Sequence, residues 1–183
     1  MSLSGLMTAL AEYVGDALVN DVGRPPPDRI LRYHGLLPHD CCTDNGFLAV
    51  NWQQEFVSMT FPVQATGSAD NCSGRPVAEI RLRYVVCWEA PAAGPGGVVI
   101  SDEQDTRWDT TAGMLAEVAD GVTRALLRVT CDLPTDELGR AVVEACGRGW
   151  LRFVSADPIL PDGTCAGVQW RLYCGVRSAG AVS

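Results

Sequence analysis

The chain has 183 residues, 47% of them hydrophobic and 20% charged, with 14 basic side chains facing 22 acidic ones for a formal net charge of −8; this is the composition of one globular domain with an ordinary core, not of a disordered segment. Every basic residue is an arginine, with no cluster and no basic helix, and an acidic surface repels phosphate, which counts against specific nucleic-acid binding. No stretch reaches the roughly 18 to 20 apolar residues of a membrane helix, and the start, Met1 to Met7, has neither a basic region nor an apolar run of the secretory kind, so a soluble cytosolic product is expected. The absence of lysine fits codon bias in a GC-rich genome.

Leu3, Leu6, Met7, Leu10, Val14, Ala17 and Leu18 recur at three- and four-residue steps, which predicts an amphipathic helix from Leu3 to about Asn20, capped by Ser2 or Ser4. Gly23-Arg24-Pro25-Pro26-Pro27 stops it and stiffens the exit. A helix on such a linker can pack on its own domain or on a neighbouring subunit. Strands are predicted at Arg29–Tyr33 and from Phe47 to Phe61, the latter with Leu48, Val50, Trp52, Gln54 and Phe56 on one side and Pro62 ending it. Thr66 to Pro76 is dense in turn residues and reads as a loop. From Val77 to Trp88, Glu79, Arg81 and Arg83 alternate with Ile80, Leu82, Tyr84 and Val86, one wet face and one buried face.

Ala90 to Gly97 reads as a flexible insert. A helix follows from about Asp109 to Val129, with Ser101 as its earliest start, and a shorter one from about Thr135 to Cys146, closed by Gly147. Strands are predicted at Trp150–Val154 and Ala166–Val176, with a turn at Asp162-Gly163. Strands and helices are segregated more than alternated. This argues for an α+β single domain with a mainly antiparallel or mixed sheet and helices packed on one face: residues 1–22 an N-terminal helix, 23–28 a proline-rich linker, 29–183 the α+β core.

The chemistry offered is sparse. Cys41 and Cys42, with His34 and His39 nearby, form the only cluster of ligand type, but adjacent cysteines diverge and no Cys-x-x-Cys spacing exists. Asp40 and Asp44 flank the pair, and negative neighbours raise a thiol pKa, against redox catalysis. No nucleophile elbow or phosphate loop is present, and Asp102, Glu103 and Asp105 suit a helix entry. No catalytic, cofactor or metal residue is assigned, and the expectation is a protein that is not an enzyme. Eight cysteines then stand as buried or disulfide-linked side chains. The five tryptophans read as core or interface anchors: Trp52, Trp88 and Trp170 share strand parities with aliphatics and read as packing, and Trp108, among charged neighbours, as an interface residue.

Four segments remain: His39-Asp40-Cys41-Cys42, Asn71-Cys72, Arg83-Tyr84-Val85-Val86-Cys87-Trp88, and Asp162-Gly163-Thr164-Cys165-Ala166-Gly167-Val168-Gln169-Trp170. In order and spacing they resemble the tail-terminator (head-to-tail connector) proteins of long-tailed actinobacterial phages, which tend to carry a His-Asp-Cys-Cys turn, a later loop cysteine, a strand ending in Arg-x-x-x-Cys and a closing Gly-x-Cys-x-Gly strand. The positions carried over are Cys41, Cys42, Cys72, Cys87, Cys165, Gly163, Gly167 and Trp170. The resemblance implies a structural virion protein at the head–tail junction, assembled in host cytoplasm. Six copies would form a ring that caps the tail tube, ends its polymerisation and meets the head-side stopper or connector protein. Genomic DNA would pass through the lumen without specific binding. The chain departs from the pattern in Cys131, Cys146 and Cys174 and in the insert after Trp88. The alternatives are the neighbouring head–tail stopper or adaptor ring and, from another class, a small metal-binding or thiol-redox protein built on Cys41, Cys42, Cys72 and Cys87.

Overall fold

Apolar side chains every third and fourth residue wind the first segment into α1 (Leu3–Asn20), and Leu10, Val14 and Leu18 on that stripe are fully buried. This holds in the computed structural model, which describes residues 3–34, 45–64, 75–88, 92–94, 97–131, 134, 136–162 and 165–175. The remaining elements are β1 (Arg29–His34), β2 (Phe47–Thr60), β3 (Val63–Gln64), β4 (Arg75–Cys87), β5 (Ala92–Gly94), β6 (Gly97–Val99), α2 (Asp102–Cys131), α3 (Glu137–Cys146), β7 (Leu151–Asp162) and β8 (Cys165–Gly175). The fold is α+β: a sheet in the order β1-β2-β4-β8-β7, with β3 appended to β2, and three helices on one face.

The strand alternation decides what each face holds. Ala78, Ile80, Leu82, Tyr84 and Val86 of β4, with Val168, Trp170, Leu172 and Cys174 of β8, turn toward the helices and merge with Leu10, Val122, Leu126 and Val142 into one core. Trp170 lies at its centre, fully buried, with its indole N–H donating to Thr123 Oγ1 at 3.2 Å. Tyr13 of α1 donates to the Ala125 carbonyl of α2 at 2.8 Å, and Arg128 of α2 pairs with Asp21 just beyond α1. The N-terminal helix is therefore built into this domain's own core.

Several sequence expectations shift. The insert after Trp88 contains a two-stranded hairpin, β5–β6, rather than only a flexible run. β1 pairs with β2 in parallel, the one parallel pairing among the described strands. α2 starts at Asp102, at the early end of the expected range, because Ser101 Oγ accepts from Gln104 N at 3.2 Å while Gln104 Oε1 reaches back to Ser101 N at 3.3 Å, a reciprocal cap. α3 starts at Glu137 because Asp136 caps it, accepting from Gly139 N. β7 continues well past Val154 to Asp162 and tolerates Pro158 because it is an edge strand with one side unpaired. β2 does not keep one parity: a bulge between Trp52 and Gln54 turns Gln54 and Phe56 to the far face, where Phe56 meets Tyr173 edge-on at 5.4 Å.

β4 and β8 pair through a long antiparallel register, and Gly167 permits their closest approach. A Cβ there would stand 2.2 Å from the Tyr84 carbonyl oxygen and 3.0 Å from Val85 Cα, both backbone atoms that cannot swing aside. Gly167→Ala is expected to lower stability by about 1–3 kcal/mol. Gly113→Ala, at a helical position with nothing within 4 Å of the new methyl, is expected to raise it by about 0.5–1 kcal/mol. Urea midpoints at constant m-value check both.

Candidate assembly surface

The cysteine frame is partly brought together. Cys87 ends β4 directly opposite Cys165 at the start of β8, and Gly167 and Trp170 follow on the same strand. Cys165 is disulfide-bonded. Cys41, Cys42, Cys72, His39 and Gly163 lie outside the described residues, as does the side chain of His34. Of the other three cysteines, Cys131 is exposed at the end of α2, whereas Cys146 of α3 and Cys174 of β8 are buried side by side in the core. Burial pushes the Cys174 thiol well above its ordinary range, and the adjoining Cys146 thiol adds to the effect. A thiol held in the protonated form is a poor nucleophile and metal ligand. Among the described residues, no three His, Cys, Asp or Glu side chains are grouped to hold a metal ion.

The surface that stands out belongs to α2. It is 30 residues long, yet its fully buried side chains begin only at Val118. The half from Asp102 to Glu117 contributes only partly covered groups, among them Trp108, Met114 and Leu115. In proteins most helical stability comes from a packed apolar face, and this half has little of one. Trp108 stacks on Trp88 with ring centroids 5.8 Å apart and planes 13° from parallel. The interface residue suspected from sequence is thus partly covered within its own chain.

Beside this stack an apolar groove of about 310 Å³ runs between α2 and the strands, lined by Trp88, Leu115, Ala119, Pro158, Ile159 and Val168. Leu160, 76% exposed, stands at its lip. Ala112 and Ala116, small and outward, keep the groove open on the helix side. The sequence conceals this feature: Leu160 reads as the approach to a hairpin turn, and the two stacked tryptophans stand 20 positions apart in the chain, with β5 and β6 between them. The acidic run Asp102, Glu103 and Asp105 does form the first turn of α2, with Glu103 paired to Arg107 at 2.6 Å.

On the opposite face of the sheet, Phe47, Ala49 and Val85 form a smaller apolar cluster with Leu31, Tyr33 and Ile159 packed against it. Burial raises the Tyr33 phenol pKa, with the Arg83 guanidinium pulling against it.

No protein-family model and no curated protein matches the chain.

The buried thiol carries a pH signature. Cys174 has a folded pKa above its unfolded value of about 8.5; between the two the native state binds the extra proton, so stability is full below about pH 8.5 and falls as pH rises beyond it. Tyr13, Tyr33 and Tyr84, also raised by burial, extend the loss above about pH 10. Cys174→Ala is expected to flatten the first part of the decline and leave the second, read from denaturation midpoints between pH 7 and pH 11.

Proposed function

We propose that this chain is the subunit of a ring at the head–tail junction of a long-tailed phage, the tail terminator that caps the tail tube, ends its polymerisation and joins it to the head-side connector. The observation that carries the reading is the only partly covered first half of α2 beside the apolar groove with Leu160 at its lip. Exposed apolar surface of this kind marks a site of association. The identity of the assembly comes from the ordered cysteine segments. Their two strand-borne members lie side by side, Cys87 opposite Cys165 and Gly167 against Tyr84 and Val85, which supports treating them as one structural frame.

In a closed ring every contact is heterologous, one patch of a subunit meeting a different patch on the next. The groove is one such patch. An acidic chain without lysine would let DNA slide through a lumen, since few basic contacts would displace its counterions.

Native mass spectrometry under non-reducing conditions tests the assembly: a species near six times the 19.6 kDa subunit, about 118 kDa, is expected. A monomer carrying zinc would move the protein to the metal-binding class. Antibody labelling of virions tests the place. Gold at the head–tail junction is expected, and label confined to the head or to the distal tail tip would overturn the reading.

A further inference from the structure

The face of the sheet turned away from the helices carries four arginines on three neighbouring strands of this acidic chain. Arg81 and Arg83 of β4, Arg171 of β8 and Arg152 of β7 all project from it, since their neighbours Leu82, Trp170, Leu172 and Leu151 point to the core. Arg81 and Arg171 are direct cross-strand partners, which places their Cβ atoms about 5 Å apart, and like charges so opposed destabilise a sheet.

The carboxylates that share this face do not balance them. Glu79 is 4% exposed and already engaged: Arg81 holds one oxygen at 3.1 Å, and Gln54 donates to the other at 2.9 Å. Asp157 accepts from Ser155 at 2.8 Å and stands opposite Gln169, while Arg83 Nε donates to Gln169 Oε1 at 2.6 Å. Arg171 faces Arg81 on one side and Ser155 on the other, and its Nε, buried, has no hydrogen-bond partner among the described residues. A half-buried guanidinium beside another one, with an unfilled donor, is a site made for a carboxylate.

The matching anions are carried by the chain itself. Asp102, Asp105 and Asp109 are exposed and recur at three- and four-residue steps along the first half of α2, so they form one acidic stripe. The same half-helix lacks any fully buried side chain. It belongs to the helical layer, whereas the arginines lie on the far side of the sheet, so the two patches of one molecule point away from each other and can meet only between copies.

We infer that the arginine face around Arg81 and Arg171 is the receiving half of a head-to-tail contact whose other half is the acidic start of α2 in a second copy of this chain. The inference rests on the reading of the protein as a self-assembling ring subunit and names the surfaces that would join. Such a contact is heterologous and can close into a ring, and its charge pairs weaken with salt.

The test is the assembly constant of the full chain, by sedimentation or native mass spectrometry at low and high salt, for Arg171→Glu, Asp105→Arg and the two together. Each single reversal is expected to weaken assembly about tenfold, and the double reversal to restore most of the loss, with far-UV circular dichroism and melting unchanged. Asp105 is exposed and outside the core, so if Arg171→Glu unfolds the subunit, Asp105→Arg decides. Assembly that persists unaltered in Asp105→Arg overturns this contact and leaves the ring standing. A native chain that never assembles overturns both.

Discussion

Everything in this molecule hangs on the pairing of β4 with β8. Eleven successive residue pairs, from Val77 opposite Gly175 to Cys87 opposite Cys165, join two strands far apart in sequence at the middle of the sheet. β2 and β1 extend from one side of this spine and β7 from the other. Its inward residues, Ile80, Leu82, Tyr84, Val168, Trp170 and Leu172, are the floor on which all three helices rest. The constraint at the centre is steric. The strands approach so closely at Gly167 that no side chain fits against the Tyr84 carbonyl, and a glycine there is a requirement of backbone packing before it is anything else.

From that spine the two faces diverge in character. The helical side is sealed by aliphatic contact over α1, α3 and the later half of α2, and it hides its polar atoms by local pairing, as Tyr13 does with Ala125 and Trp170 with Thr123. The far side keeps charge under partial cover, with Glu79 enclosed between Arg81 and Gln54. Burying one partner of such a set is costly unless every donor is used. The same strands therefore make a finished hydrophobic core on one side and an unfinished electrostatic surface on the other.

Much of the fold is legible in the sequence because single-segment periodicity carries it. The leucines of α1, the Glu-Arg-Arg alternation of β4 and the alternating Val168, Trp170 and Leu172 of β8 each state their own face without reference to the rest. What escapes is whatever depends on a partner. The bulge after Trp52 reverses the facing of Phe56, and only the register against β4 reveals it. β1 looks like any short strand, and its parallel pairing is a matter of chain return. β7 is more than twice the length of the expected strand because Pro158 is harmless at an edge and would be fatal inside the sheet. The candidate surface is hidden for the same reason: Trp88 and Trp108 are separated by a hairpin in the chain, and the opposition of Arg81 to Arg171 exists only once two distant strands are aligned. The arginine alternation announces a wet face, but not that two of its charges will be neighbours.

The separation of β4 from β8 in the chain also has a consequence for synthesis. Nearly 80 residues lie between the end of one strand and the start of the other. At a ribosomal pace of roughly 5–20 residues per second, β4 emerges several seconds to a quarter of a minute before the strand that completes it. Throughout that interval its edge toward β8 is an unpaired row of backbone donors and acceptors backed by an incomplete core, the kind of edge that recruits strands from other chains. The alternating Arg81 and Arg83 on that strand place charge along the waiting edge, and so guard the nascent chain against its own copies until β8 arrives.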